Sequence, residues 1–152
     1  MPIKYAIARS FMINPITNNP TSILSENMNT IIVAIPPKIK DKMKDTREKI
    51  MKTTYNENIY GYGSPTKIIL FLKLLKLPSN KIRYIFEDNK LKQNKYLPIF
   101  GNKIICTSKV KIFKPKYLLI FAWNFKDDIK KKVYKIDKKI KLLVPLPKFE
   151  VI

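Results

Sequence analysis

The sequence predicts an α/β fold in which a parallel sheet of about five strands carries helices on its flanks. Three observations point to it. Between Asn58 and Ile152, short apolar runs of strand length alternate with helical patterns, which is how a parallel sheet with crossover helices reads. The run NIYGYG ends in Gly-x-Gly just before a long helix-forming segment, the layout of a strand that turns tightly into its helix. A chain of 152 residues with 45% hydrophobic content, eight Tyr, eight Phe and one Trp can also bury one ordinary core, and hardly two.

The elements follow in order. Residues 1–36 are weakly patterned: NPITNNPTS reads as loop and TIIVAI as a short strand or buried run. From Pro37, PPKIKDKMKDTREKIMK places Ile39, Met43, Thr46 and Ile50 at helical steps on one face with charges opposite, and its prolines suit a helix start. This linking helix falls within residues 37–57. NIYGYG is then strand and turn, TKIILFLKLLKL a helix and KIRYIFED a second strand, followed by the polar loop DNKLKQNKYLP. A short strand is expected around Lys103 to Cys106, a short helix in TSKVKIF, a strand in KYLLIFAW, a helix in NFKDDIKKKVYKIDKK and a last strand in IKLLVPLP. In that last helix Asn124 is placed to cap first-turn amides, and Asp127 and Asp128 complement the positive end of the dipole. Ile129, Val133, Ile136 and Ile140 would face the sheet, with the lysines outward in solvent. Residues 58–152 therefore read as one Rossmann-like unit.

Composition narrows the function. Lysines interrupt every apolar run before it reaches the roughly 18 to 20 residues that span a bilayer, and the N-terminus lacks the continuous apolar core of a signal peptide. No membrane partner and a cytoplasmic location are the expectations. The chain has one cysteine, Cys106, and no histidine, which excludes an internal disulfide, a multi-thiolate zinc site and Ser-His or Cys-His catalysis within it. The net charge of +20 suggests nucleic acid, but only Arg9, Arg47 and Arg83 are arginines, and the other 28 basic residues are lysines scattered over nearly every segment. Coding drift toward A and T explains that scatter more simply than a nucleic-acid interface, for which no motif is present.

The stretch IYGYGSPTK carries the first chemical suggestion. Gly61 and Gly63 allow a sharp backbone turn close to an anion, amides at the head of the next helix would point at it, and Lys67 would add charge. A tight strand-to-helix turn with no ligand reads equally well from these residues. It is not a Walker loop, and Thr66 replaces the third glycine of a dinucleotide fingerprint.

Taken in order, IYGYGSPTK, FEDNKLKQNKYLP, KPKYLLIFAWNFKDDI and LLVPLPKFEVI resemble the C-terminal domain of the SAM-dependent C-methyltransferases that methylate nucleotide-linked deoxysugars. The resemblance covers roughly Asn58 to Ile152. The segment Ile39 to Met51 is similar to the helix that precedes this domain, while KYAIARS and LSENMNTII resemble the tail of the family's central methyltransferase domain. Family members combine a cysteine-ligated zinc region, a central SAM-binding domain and this last domain, which helps to hold the nucleotide sugar. The resemblance implies that Gly61, Gly63, Ser64, Pro65 and Lys67 form the phosphate-side loop. It places Glu87, Lys92 and Gln93 on the family's acidic and Lys-Gln positions, and Trp123 and Asn124 on its Trp-Asn pair. Each also has a plain structural reading: Glu87 and Asp88 as a solvated strand end, Lys92 as one more lysine, Trp123 as a core aromatic and Asn124 as a helix cap.

The chain departs from the family where Ile68, Ile69 and Leu70 replace the small or polar residues after the loop lysine, where Asn94 replaces a common glycine, and where Ile99 follows Pro98. A second glycine-rich turn is missing, Gly101 being the only other glycine. The expectation is a nucleotide-sugar-binding domain with no catalytic residues and no cofactor of its own, a split or truncated enzyme that either works with a separate SAM-binding methyltransferase chain or survives as a remnant, SAM being implied for the complete enzyme. Two other readings stay open: a basic nucleic-acid module, and a small dinucleotide-binding domain in which Glu87, 24 residues beyond Gly63, would meet a ribose.

Overall fold

The structure, a computed structural model, describes residues 28–152. The readings of KYAIARS, NPITNNPTS and the first residues of LSENMNTII lie outside them. A long helix, α1 (Pro37–Thr54), leads into strand β1 (Ile59–Tyr62), helix α2 (Ile68–Leu75), strand β2 (Ile82–Glu87) and strand β3 (Lys103–Cys106). A short helix α3 (Val110–Phe113), strand β4 (Tyr117–Ile120), helix α4 (Lys126–Tyr134), strand β5 (Lys141–Val144) and strand β6 (Glu150–Val151) complete it.

The strands form one sheet in the order β3-β2-β1-β4-β5-β6. The first five run parallel, in registers such as Gly61 opposite Ile85 and Leu119. β6 is antiparallel to β5 through Leu143–Val151 and Val144–Glu150, a short sixth strand beyond the five expected. Every residue of IYGY and YLLI is buried, because helices cover both faces of a parallel sheet and leave no side to water. Alternate side chains then go to opposite layers. Ile59, Ile85, Leu119 and Phe121 pack under Met43 and Ile50 of α1 and Phe71 and Leu75 of α2. Tyr60, Tyr62, Phe86 and Ile120 pack under Val110 of α3 and Ile129 and Val133 of α4.

Local chemistry accounts for most of the boundaries. Pro36 and Pro37 stand at the start of α1, where a missing N–H costs nothing. Met43, Thr46 and Ile50 are its buried face as the spacing predicts, whereas Ile39, near its exposed start, remains 44% exposed. At the other end, the buried ammonium of Lys81 donates to the Tyr55 carbonyl at 2.7 Å and ties the end of α1 to the start of β2.

Three expectations are corrected. TIIVAI is no strand: residues 28–33 are helical, Ala34 N–H donates to the Thr30 carbonyl, and Val33 points to solvent, so its β-branched run finds no sheet edge to join. The last long helix is α4 alone, preceded by a single 3₁₀ turn at Trp123–Phe125, so Asn124 lies inside that turn and caps nothing. Because α4 ends at Tyr134, Ile136 is left 42% exposed, and Ile140 reaches the core from the segment before β5. Asp127 and Asp128 do lie in the first turn of α4.

Gly61 sits inside β1 rather than at the turn. A Cβ there would overlap the edge of the Phe121 ring and lie 3.2 Å from Ile85 Cγ1. That ring is held edge-on to Phe71, with centroids 5.9 Å apart, and cannot retreat freely. Gly61→Ala is therefore expected to destabilise the fold by about 1–3 kcal/mol, as overpacked cores do. Urea unfolding would measure the loss, and Phe121→Leu in the same chain should recover part of it; equal stability of Gly61→Ala and wild type would refute this packing.

Candidate functional site

β1 and β4 lie side by side where the strand order reverses, and in open parallel sheets ligands bind outside the carboxyl ends at that point. Gly63 follows β1 with φ +83°, a backbone conformation that glycine adopts without strain, and an added Cβ would come 3.0 Å from Ala122 Cβ. Its amide donates to the Phe86 carbonyl at 2.8 Å. Ser64 is buried, and both its amide, at 2.8 Å, and its hydroxyl donate to Glu87 Oε2. The Asn89 amide donates to Oε1 of the same carboxylate at 3.0 Å. Lys92 Nζ donates to the Ser64 carbonyl at 2.7 Å, and Gln93 Nε2 donates to the Glu87 carbonyl at 2.8 Å. The glycine corner already holds an anion, and that anion is the chain's own Glu87.

This arrangement decides which groups remain for a ligand. Four of the residues singled out in the sequence, Ser64, Glu87, Lys92 and Gln93, are joined by direct hydrogen bonds, and Gly63 is tied beside them to Phe86. Glu87 is buried and far from a solvated strand end, and Lys92 clamps the corner from outside. Among the described residues, the amides of Thr66 and Lys67, just ahead of α2, donate to no protein atom. Both residues are exposed, so these two N–H groups and the Lys67 ammonium are what the corner offers outward. Pro65, Lys67 and Trp123 line a shallow notch with Ile68, Phe71 and Phe121. Trp123 is half-buried and packs on Phe71 with centroids 5.3 Å apart, so it is at once a core aromatic and a wall of the notch. Gly61 serves packing inside β1, and Asn124 is exposed without a hydrogen-bond partner among the described residues.

A second constellation escaped the sequence reading. Asp88 follows Glu87 and points to the opposite side of the sheet, as neighbouring strand residues do. Its carboxylate accepts from Tyr62 Oη at 3.2 Å, Thr107 Oγ1 at 2.8 Å and Lys132 Nζ at 2.9 Å. These groups edge a cleft of about 300 Å³ that Cys106, Ser108 and Ile136 also line, with the buried Val110 and Val133 behind them. The signal was the acidic pair itself: two successive carboxylates at a strand end serve different faces.

Electrostatics agree with the geometry. Burial pushes the Glu87 carboxyl up, but hydrogen bonds from Ser64 and Asn89, with Lys92 nearby, outweigh it and leave the pKa below the usual range. Asp88 is likewise pushed up by burial and more strongly down by Lys132, Thr107 and Tyr62. Burial and then Asp88 raise the Tyr62 phenol well above its ordinary value. Since the folded pKa of Glu87 lies below the unfolded value of about 4.3, its ionised form stabilises the fold above that pH, and the contribution disappears as pH falls through the folded value. Glu87→Gln should therefore cost about 1–3 kcal/mol at pH 7, the penalty for depriving several buried donors of a charged acceptor. Urea titrations at successive pH values should show the gap to wild type narrowing below about pH 4; a gap that stays constant to lower pH would contradict the assignment.

Comparison with known proteins adds the lineage. The family model for the C-methyltransferase C-terminal domain matches residues 21–147. The chain is similar to the C-methyltransferase NovU of Streptomyces niveus, 33% identical over 73 residues that make up 48% of this chain and 17% of NovU, so the match spans a small part of that protein. Among solved structures, UDP-D-quinovosamine 4-dehydrogenase from Vibrio fischeri is similar at a TM-score of 0.45 and 11% identity, over 63% of this chain and 93% of that one. A likeness so distant speaks to neither substrate nor mechanism. With the family model covering most of its length and the expected parallel sheet in place, the chain belongs to the C-methyltransferase C-terminal domain family.

Proposed function

We propose that this chain is the nucleotide-sugar-binding C-terminal domain of a SAM-dependent C-methyltransferase and works with a separate SAM-binding methyltransferase chain. The observation that carries the reading is the pair of unpaired amides at Thr66 and Lys67, at the head of α2 and at the reversal of strand order. Two adjacent N–H groups with a lysine beside them suit a diphosphate, whose oxygens accept from amides and gain from the positive end of the helix dipole. Glu87 has a positioning part: by holding Ser64 it fixes where the next two amides point. Pro65 and Trp123 supply an apolar wall for the sugar or the base.

Methyl transfer is assigned to the partner. SAM does not fit this corner, because Glu87, the acid that a glycine-rich turn would offer to its ribose, is spent on Ser64 and Asn89. No step of the transfer is therefore given to these residues. A nicotinamide dinucleotide is the second reading, favoured by an acid at the end of β2 in a sheet of this strand order. The same internal bonds weigh against it, since ribose hydroxyls would need the carboxylate that Ser64 holds. A cytoplasmic setting, where nucleotide sugars are at hand, goes with the proposal.

A thermal-shift series decides among these ligands. A nucleotide diphosphate sugar at about 100 times its Kd should stabilise the native chain by about 2.7 kcal/mol, and the matching nucleoside monophosphate and reduced nicotinamide dinucleotide should do less at equal concentration. Lys67→Ala should weaken sugar-nucleotide binding about tenfold, roughly the worth of one charge-assisted contact. If the sugar nucleotide moves the melting temperature no more than the monophosphate, or Lys67→Ala binds as well as wild type, the corner is not a diphosphate site. The chain alone should transfer no label from methyl-labelled SAM to any sugar nucleotide.

A further inference from the structure

The cleft beside Asp88 has no part in the proposal above, and its chemistry differs from that of the corner. Its volume of about 300 Å³ falls at the lower end of small-molecule sites, which run from about 300 to 1,000 Å³. It opens at the carboxyl ends of β1, β2 and β3, through Tyr62, Asp88 and Cys106, with α4 as the far wall. One side is polar, with a carboxylate, an ammonium and the hydroxyls of Tyr62, Thr107 and Ser108; the other is formed by Val110, Val133 and Ile136.

Such a lining selects by elimination. A metal ion is disfavoured, since no group of three His, Cys, Asp or Glu side chains gathers among the described residues. An anion would meet the Asp88 carboxylate, and a wholly apolar ligand would strip water from the polar rim and give it no hydrogen bond in return. A body with adjacent hydroxyls at one end and a flat apolar surface at the other satisfies both sides. Hydroxyls donate to a carboxylate and accept from an ammonium, so a vicinal diol suits Asp88 with Lys132 beside it. Of the three donors that now hold Asp88, Lys132 is solvent-exposed and its ion pair is worth little, so a ligand hydroxyl takes its place cheaply.

We propose that this cleft binds a ribonucleoside, with Asp88 accepting from the two vicinal ribose hydroxyls and the exposed side chain of Ile136 packing on the base. The inference stands on the cleft alone and holds whether or not the glycine corner takes a diphosphate. The nucleoside comes either from a uridine-type sugar nucleotide or from an adenosine-type cofactor, and the bases tell them apart.

Cys106 makes the test specific. It is the single cysteine of the chain, it lines the cleft, and the hydrogen bond from Ser108 lowers its pKa toward the reactive thiolate. The rate of its reaction with 5,5′-dithiobis(2-nitrobenzoate) in the intact chain reports occupancy directly. Uridine or adenosine at about 10 mM, enough to fill even a weak millimolar site, should slow labelling several-fold, and the stronger of the two identifies the source. The 2′,3′-dideoxy counterparts should protect at least fivefold less well. Asp88→Asn, compared with its own rate without ligand, should lose the protection, whereas Lys132→Ala should keep it. Unchanged labelling with either ribonucleoside, or equal protection by the dideoxy compounds, overturns the proposal without any variant having to fold. Thermal shifts with Lys67→Ala read the corner independently, so failure at one site is not mistaken for failure at the other.

Discussion

A buried carboxylate must be paid for with hydrogen bonds, and Glu87 collects its own from Ser64 and Asn89. Much of the working end of the molecule follows from that one requirement. The carboxylate pulls the turn after β1 against the end of β2, which uses up the Ser64 amide, while Phe86 uses up that of Gly63. Lys92 then neutralises the site and closes it by binding the Ser64 carbonyl. Without an internal anion the corner would present the amides of Ser64, Thr66 and Lys67. With it, that of Ser64 turns inward and only those of Thr66 and Lys67 face outward. The glycine turn is thus less a cradle than a bracket, and the surface it braces lies one step further along the chain.

Close packing across the sheet supports the same end. Gly61 lets the Phe121 ring settle over β1, and Phe121 in turn supports Phe71 and the floor of the notch beside Trp123. The residues that replace the family's polar pair, Ile68 and its neighbours, belong to this packing: Ile68 is buried at the start of α2 and lines the notch. The trade exchanges side-chain donors for a firmer floor. What such a corner recognises must be read from backbone amides, which favour phosphate oxygens without distinguishing one sugar from another. On the proposed reading, selectivity would fall to Trp123, Pro65 and the neighbouring cleft.

The parallel sheet was legible because burial on both faces leaves a strong trace: short unbroken apolar runs such as KYLLIFAW are separated by polar helical stretches. The helix-facing positions of α1 and α4 were equally plain where packing agrees with periodicity, at Met43, Ile50, Ile129 and Val133. Periodicity misled at Ile136, because a sequence pattern continues past the point where α4 ends and the chain turns back to β5. Asn124 has the chemistry of a cap, yet the 3₁₀ turn moved the helix start one residue along and left Phe125 in the cap position. The two-residue β6 lies below the length at which alternation is visible at all. At the site, the family resemblance singled out Ser64 and Glu87 as ligand contacts. That they bind each other depends on side-chain direction across two strands, which a linear pattern does not carry.

Charge is the remaining question, since 31 basic residues face 11 acidic ones. The described ion pairs, such as Lys49–Asp45 and Lys116–Glu57, lie on the surface and engage only a few lysines. Most of the excess is therefore left to solvent, where it makes a positive field screened within about 8–10 Å at physiological salt. Such a field raises the encounter rate of any anion, whether sugar nucleotide, acidic protein or nucleic acid, and discriminates among none of them. The lysines drawn into built contacts behave differently. Lys81 lies buried against a backbone carbonyl, and Lys92 binds one beside Glu87; both are fixed in place by the fold and act at short range. On the proposed reading, tight recognition would arise from groups held in that way, at the head of α2 and around Asp88, while the diffuse charge would set how quickly ligands arrive and how strongly salt slows them.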